Sequence, residues 1–351
     1  MKIKVLVVDD SAFMRKVLTD IISSEPHMEV IATAKNGKEA LELIKLHKPD
    51  VVTLDIEMPV MDGLTALEIA MRESPVPIVM LSSLTQEGAD STLKALELGA
   101  IDFITKPSSI FKVNTDEVKI QLIEKINIAS RITLRPKRIL TKGLTPSVPA
   151  KKSNAYVGHN SLQKIIAIGT STGGPKALQS VIPLLPKDLD APVLVVQHMP
   201  PGFTKSLAER LDSMSDIRVK EAEHGDILKP GWCYIAPGDK HLRITKDLGQ
   251  LKIALGSDAT VSGHRPSCDA MFDSIAQLGI SNVIAVIMTG MGADGAKGLL
   301  NIKQNKNFVI AQDEESCVVF GMPKSAIKLN AVDKVVSLDA ITDEILRAME
   351  G

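Results

Sequence analysis

Two doubly wound α/β units joined by a basic tether are predicted from three observations. Apolar strand-like runs alternate with amphipathic helical segments, first over residues 4–128 and again over residues 164–313. The connections are short, and a β–α alternation with short loops implies a parallel sheet covered by helices on both faces. Between the two alternations the character changes: residues 125–187 contain no Asp or Glu, while Arg131, Arg135, Lys137, Arg138, Lys142, Lys151 and Lys152 lie among Pro, Ser, Thr and Asn.

In the first unit, KVLVVDD (4–10) reads as a buried strand and MRKVLTDIISS (14–24) as a helix with its apolar stripe at helical spacing. MEVIATA, DVVTLDI, VPIVMLSS and AIDFITKP are the further strands. GKEALELIKLH, GLTALEIAMRE and the stretch near Ala89–Leu98 are the helices between them, and helical spacing continues through Val118–Ile128. Residues 1–124 are assigned to this unit, 125–160 to a basic flexible linker and 161–349 to the second unit. A tether of about 30 residues spans on the order of 30 Å. Its positive charge fits a solvated connector or a docking strip for an acidic partner. In the second unit KIIAIG, PVLVVQH, VIAVIMTG and FVIAQD read as buried strands feeding loops. WCYIAPGDKHLRITKDLGQLKIALG (232–256) has short β runs broken by Pro-Gly and Leu-Gly, which predicts an antiparallel hairpin insertion.

A chain of 351 residues is too long for one ordinary core. The apolar and charged fractions, 44% and 24%, are those of soluble globular proteins. A net charge of −1 and 3% aromatics offer neither a polyelectrolyte surface nor base-stacking platforms, so no nucleic-acid partner is expected. MKIKVLVVDDS is too short an apolar run for a signal peptide, and no segment approaches the roughly 18 apolar residues of a membrane span. Cys233, Cys268 and Cys317 are scattered and odd in number, which suits packed thiols in a reducing compartment. A cytoplasmic chain, monomeric and without direct membrane insertion, is the expectation.

Ligands of a doubly wound sheet gather beyond the carboxyl ends of its strands. Asp9 and Asp10 end the first strand, Asp55 the third, Ser82 the fourth, and Lys106 with Pro107 the fifth. Carboxylates so placed repel one another unless a divalent cation sits among them, and hard oxygen ligands with open water positions suit Mg²⁺. A carboxylate there can accept a phosphoryl group as an acyl phosphate, with the cation and an ammonium group neutralising the transferred charge. Asp55 is the natural nucleophile, Lys106 the phosphoryl partner, and the Ser82 hydroxyl a hydrogen-bond donor to it. Helix capping by Asp10 is the plainer alternative for that residue.

In the second unit, GTSTGGP (169–175) lacks both the phosphate-loop and the dinucleotide glycine spacings. It does contain G-x-S-x-G between a strand and a helix, a turn that presents the Ser171 hydroxyl; a generic anion-binding turn stays open as an alternative. A serine needs a base, and the base an orienting carboxylate. Among seven histidines, His198 follows a buried strand and shares a sheet edge with Ser171. Asp294 follows another strand in a turn loosened by Gly290, Gly292 and Gly295, where the Met291 N–H is a candidate oxyanion donor. The order Ser, His, Asp differs from the Ser, Asp/Glu, His order of α/β-hydrolases.

VVDDSAFMR, LDIEMPVMDG, LSSLT and IDFITKPSS resemble the receiver domains of two-component response regulators, over roughly residues 1–124. The resemblance implies a flavodoxin-like (βα)₅ fold, phosphorylation at Asp55, and Mg²⁺ held by Asp9, Asp10, Asp55 and the Glu57 backbone. It also implies switch positions at Ser82 and Phe103, the phosphoryl-binding Lys106, and a cis Lys106–Pro107 peptide. IGTSTGGP, QHMPPGFT, YIAPGDKHL, GHRPSCD, MTGMGADG and CVVFGMP together resemble the catalytic domain of chemotaxis protein-glutamate methylesterases, the CheB family. That likeness implies Ser171 as nucleophile, His198 as base and Asp294 as its partner, with Thr172 and Met291 near the oxyanion; Ala293 stands where Asn is common. It implies a phosphorylation-activated hydrolase of receptor glutamate methyl esters that also deamidates receptor glutamines and needs no cofactor for the esterase step. The implied partners are methyl-accepting chemotaxis receptors and a histidine kinase. A regulator whose second unit merely binds a partner or a nucleotide is the alternative from another class.

Overall fold

The computed structural model describes residues 2–106, 116–132 and 164–350. Pro107, the bulk of the predicted linker and residues 161–163 lie outside them. Among the described residues no helix is long and apolar enough to cross a membrane.

The first unit runs β1 (Ile3–Val8), α1 (Ala12–Ser23), β2 (Met28–Ala34), α2 (Gly37–His47), β3 (Val51–Asp55), α3 (Gly63–Glu73), β4 (Ile78–Ser82), α4 (Gln86–Leu98), β5 (Asp102–Thr105) and α5 (Asp116–Ala129). Its sheet is parallel throughout, in the order β2-β1-β3-β4-β5. Four of its helices open on the side-chain caps that their sequences supply: Ser11, Asn36, Asp62 and Thr85 each accept from the N–H three residues on. Helix α5 continues to Ala129, past the linker start placed at 125, because Leu122, Ile126 and Ala129 are fully buried against the sheet.

The second unit contains β6 (Ile165–Thr170), α6 (Gly174–Val181), β7 (Val193–Gln197), α7 (Phe203–Met214), β8 (Arg218–Glu221), β9 (Trp232–Ile235), β10 (His241–Asp247), β11 (Gln250–Gly256), α8 (Cys268–Gln277), β12 (Val283–Ile287), α9 (Ala296–Gln304), β13 (Phe308–Gln312), α10 (Met322–Lys328), β14 (Lys334–Val336) and α11 (Ile341–Glu350). Seven strands form a parallel sheet in the order β14-β13-β12-β6-β7-β9-β8. Central strands are apolar on both faces, as a sheet covered on both sides requires: Ile166 and Ile168 face one cluster, Ile165 and Ala167 the other. Strand order reverses around β6, so the ends of β12, β6 and β7 surround the switch point.

The predicted antiparallel insertion is smaller than its sequence span. Within that span the strands that pair antiparallel are β10 and β11, around Leu248 and Gly249. Trp232–Ile235 joins the main sheet beside β7, its inner residues Cys233, Tyr234 and Ile235 all buried. The edge strands β8 and β14, RVKE and KVV, are short and largely exposed or half-exposed, so no apolar run announces them.

Candidate active site

Residue Thr170, the last of β6, pairs with Gln197, the last of β7. Ser171 and His198 are therefore the next residues on adjacent parallel strands, and His198 N–H donates to the Thr170 carbonyl at 3.3 Å. Neighbouring strands lie about 4.8 Å apart, which brings the backbones of the two residues close together at the sheet's carboxyl edge. The turn after Ser171 is held by Gly174 N–H donating to the Ser171 carbonyl (2.8 Å) and by Gln197 Nε2 donating to the same oxygen (3.0 Å). Gly173 has φ +79°, and a Cβ on it would meet Val318 at 2.7 Å, so this turn admits only glycine there. Gly290 is equally constrained by approach: a Cβ would lie 2.8 Å from that of Ser171.

His198 Nε2 lies 2.7 Å from Asp294 Oδ2. Asp294 is buried at the N-terminus of α8, where it accepts from Ser267 Oγ (2.7 Å), Cys268 N–H (2.6 Å) and Asp269 N–H (3.1 Å). Burial alone raises a carboxyl pKa, but here the donors from His198, Ser267 and Cys268 outweigh it and hold Asp294 below the usual carboxylate range. A permanent anion thus faces one edge of the imidazole. At the other edge His198 Nδ1 is buried with no hydrogen-bond partner. Ser171 Oγ likewise makes no hydrogen bond among the described residues. The Met291 N–H follows Gly290, whose carbonyl accepts from Gly321 and Met322, and it donates to no protein group among the described residues. A hydroxyl, a bare imidazole nitrogen backed by an anion, and a free N–H at one sheet edge are the groups that acyl transfer uses.

The acid pocket lies at the carboxyl edge of the first sheet. The carboxylate oxygens of Asp9, Asp10 and Asp55 come within 4.8 Å of one another. Lys106 Nζ sits 2.7 Å from Asp55 Oδ2 and 2.8 Å from Asp9 Oδ2. Asp9 Oδ2 is nonetheless not aligned with any hydrogen-bond donor. Burial pushes the Asp55 carboxyl up to about 6 against the opposing pull of Lys106. A buried oxygen without an aligned donor, beside carboxylates that one ammonium only partly neutralises, fits a hard divalent cation. A cavity of about 260 Å³ opens there, lined by Asp10, Asp55, Ile56, Glu57, Ser83, Gly88 and Lys106. Ser82 is not on that wall: its hydroxyl donates to the Gly88 carbonyl at 3.1 Å and accepts from Thr92 Oγ1 at 2.6 Å. Phe103 is also away from the pocket, stacked on Phe203 of the second unit with centroids 4.8 Å and planes 8° apart.

Two family models match the chain: the response regulator receiver domain over residues 5–115 and CheB methylesterase over residues 166–345. The protein-glutamate methylesterase/protein-glutamine glutaminase of Halalkalibacterium halodurans is 51% identical over 99% of this chain and 98% of its own length. The chain belongs to the CheB methylesterase family. A Pyrococcus horikoshii relative with the same description is 49% identical over 99% of this chain and 94% of its own. The catalytic domain of Thermotoga maritima CheB methylesterase, a solved structure, is 50% identical with a TM-score of 0.52, covering 52% of this chain and 97% of that one. Family membership makes the protein a carboxylic ester hydrolase carrying a receiver domain.

In this CheB-family chain the receiver packs directly on the serine turn. Thr172 Oγ1, on the residue after Ser171, donates to Asp102 Oδ2 of β5 at 2.7 Å, and both residues are buried. Lys125 of α5 donates to the other oxygen of Asp102 at 3.0 Å. Helix α4 lies against α6 and α7, where Gln86 Nε2 donates to Ser206 Oγ (2.6 Å) and Gln179 Nε2 to Glu97 Oε1 (2.8 Å). Arg210 also grips both oxygens of Glu97. Val318, beside Gly173, packs against the receiver's own core.

Sequence reasoning gave no role to Ser267, Cys268 or His264, although all three lie in GHRPSCD. A readable signal existed for the first: Ser267 is the cap of α8, its Oγ accepting from Ala270 N–H. Nothing in the one-dimensional pattern placed that cap against Asp294.

Proposed function

We propose that the chain is a phosphorylation-gated protein-glutamate methylesterase, with Ser171, His198 and Asp294 as its catalytic triad. The observation that supports this reading is the anion-backed imidazole of His198, carried at the end of the strand next to the one that ends before Ser171. Ser171 Oγ attacks the carbonyl carbon of a γ-methyl ester on a receptor glutamate while His198 takes its proton. N–H groups of the turn and of Met291, with Thr172 supporting them, hold the oxyanion. The intermediate collapses, methoxide takes the proton from His198, and methanol leaves a glutamyl ester on Ser171. Water, deprotonated by His198, hydrolyses that ester to free glutamate. With a glutamine amide the same steps release ammonia, so deamidation follows from the same groups. The esterase reaction needs no cofactor.

In the receiver, Asp55 accepts the phosphoryl group and Lys106 pairs with its oxygens. Asp9, Asp10, Asp55 and the Glu57 carbonyl would hold Mg²⁺, which when bound neutralises charge on the phosphoryl group. Ser82 and Phe103 are the switch positions. The receiver seated on Thr172 blocks approach of a receptor helix to Ser171, and phosphorylation favours the separated state. Going from mostly closed to mostly open takes about 5 kcal/mol of differential stabilisation. Methyl-accepting receptors are the substrates, a histidine kinase is the phosphodonor, and the enzyme acts as a cytoplasmic monomer of two domains joined by the basic linker.

Trapping with a serine-directed phosphonate, followed by peptide mapping, tests the triad: the label belongs on Ser171, and Ser171→Ala should lose both label and turnover. Undiminished turnover in that variant removes the assignment. Gating is tested by esterase rates with and without a small phosphodonor and after deletion of the receiver; three equal rates would sink it.

A further inference from the structure

The mechanism above gives His264 no step, yet its ring lies flat on that of His198, centroids 3.8 Å and planes 15° apart. A tight turn places it there. Val261 and His264 exchange both backbone hydrogen bonds, at 3.1 and 3.0 Å, across Ser262 and Gly263 with φ of +53° and +81°. Positive φ at both central residues marks a type I′ turn. Ser262 Oγ donates to Asp269 Oδ2 at 3.0 Å, tying the turn to the first turn of α8. That same turn of α8 supplies the N–H groups that hold Asp294. One segment, residues 261–269, therefore fixes both the face and one edge of His198.

With the Asp294 carboxylate ionised, Nε2 is the protonated nitrogen and donates to it. Nδ1 is then the atom left with a bare lone pair. A single hydrogen bond only weakly restrains the imidazole against rotation about its Cβ–Cγ bond, which would swing Nδ1 out of line. We propose that His264 is a positioning residue, its stacked aromatic ring holding His198 so that Nδ1, not Nε2, takes the proton from Ser171. The inference rests on the triad reading given above. The groups facing His198 are the His264 ring on its face, Asp294 at Nε2, and Cys268 Sγ at 3.8 Å from Nε2. Burial, together with the neighbouring His198, holds His264 down to about 4. Its face is thus uncharged at neutral pH and attracts, rather than repels, the imidazolium that forms during turnover. Cys268 adds no charge, since burial raises its thiol well above the ordinary range.

The test compares wild type, His264→Ala and His264→Phe in the full chain, with His-selective ¹⁵N labelling. A misplaced general base costs up to about 100-fold, so His264→Ala should lose about 10- to 100-fold in kcat with KM little changed. His264→Phe, which keeps a flat face, should recover to within a few-fold of wild type. The ¹⁵N shifts of His198 should identify Nε2 as the protonated nitrogen in wild type and in His264→Phe. The proposal is overturned by wild-type kcat and pH profile in a folded His264→Ala. It is equally overturned by a folded His264→Phe that has lost as much activity as His264→Ala, or by a His198 protonated at Nδ1. Should His264→Ala not fold, the phenylalanine variant and the ¹⁵N spectrum decide. Failure of the triad itself registers separately, as turnover surviving in Ser171→Ala.

Discussion

Thr172, the residue that follows Ser171, donates a hydroxyl hydrogen bond to Asp102 Oδ2 on the receiver strand β5 at 2.7 Å, in a buried contact. The acidic partner is itself held by Lys125 at 3.0 Å and by its own neighbour's N–H, Phe103, at 2.7 Å. A hydrogen bond to a charged group contributes about 1.5–3 kcal/mol, enough on its own to shift a closed–open equilibrium roughly tenfold or more. Asp102→Asn should therefore raise the esterase rate of the unphosphorylated chain about tenfold while leaving the phosphorylated rate near wild type. The ratio of the two rates is the measurement.

Ionic strength should act in the same direction through the rim of the contact. Glu97 is gripped by Arg210 and Gln179 at the exposed edge of the α4–α6–α7 packing. Exposed pairs contribute about 0.2–1 kcal/mol and are screened by salt. Arg210→Ala should raise the unphosphorylated rate two- to fivefold and flatten its salt dependence; an initial-rate series in NaCl checks this.

Asp294→Asn removes the anion that orients His198 and lets the amide stabilise the other tautomer. Loss of the orienting carboxylate in a serine hydrolase costs up to about 10⁴ in kcat. A fall of at least 10²-fold with the fold retained by circular dichroism is the expected outcome.

His264 gives the stability a pH dependence of definite sign. Unfolded, its imidazole titrates near 6.5; folded, burial holds it at about 4. Between those values the unfolded chain binds the extra proton, so this contribution is complete above pH 6.5 and is lost as pH falls to about 4. Its full size is at most about 3 kcal/mol. Urea midpoints of wild type should drop over that window, and those of His264→Phe should drop less.

Asp55 works in the opposite sense when the acid pocket holds no metal. Its carboxyl is raised to about 6 by burial despite Lys106, so ionising it above that pH destabilises the fold. Asp55→Asn, measured in EDTA at pH 8, should unfold later than wild type by up to about 3 kcal/mol. Adding Mg²⁺ should close the gap by stabilising the wild type.

The sheet centres were legible because their strands are apolar on both faces, and the functional residues stand at or just past their ends: Asp55 closes β3, Ser171 follows β6 and His198 follows β7. Edge strands were not, since RVKE and KVV have one exposed face and a polar composition. Helical spacing through Ile128 comes within one residue of the end of α5, whereas a linker start at Lys125, where the acid-free stretch begins, cuts into that helix, whose Ile126 and Ala129 are core. Side-chain orientation was beyond reach: nothing in LSSLT shows that Ser82 donates to Gly88 while Ser83 lines the pocket. Contacts between units were equally hidden, since Asp102 and Thr172 are separated by 70 positions.

Strand β5 is four residues long, with Asp102 opening it and Lys106 just beyond its end. A rise of about 3.3 Å per residue makes that only about 13 Å. The chemical input and the mechanical latch thus share one short stiff rod. Grafting a foreign receiver onto this hydrolase would preserve regulation only if the donor brings an acidic side chain at the rod's near end. Chimeras lacking one are candidates for constitutive enzymes.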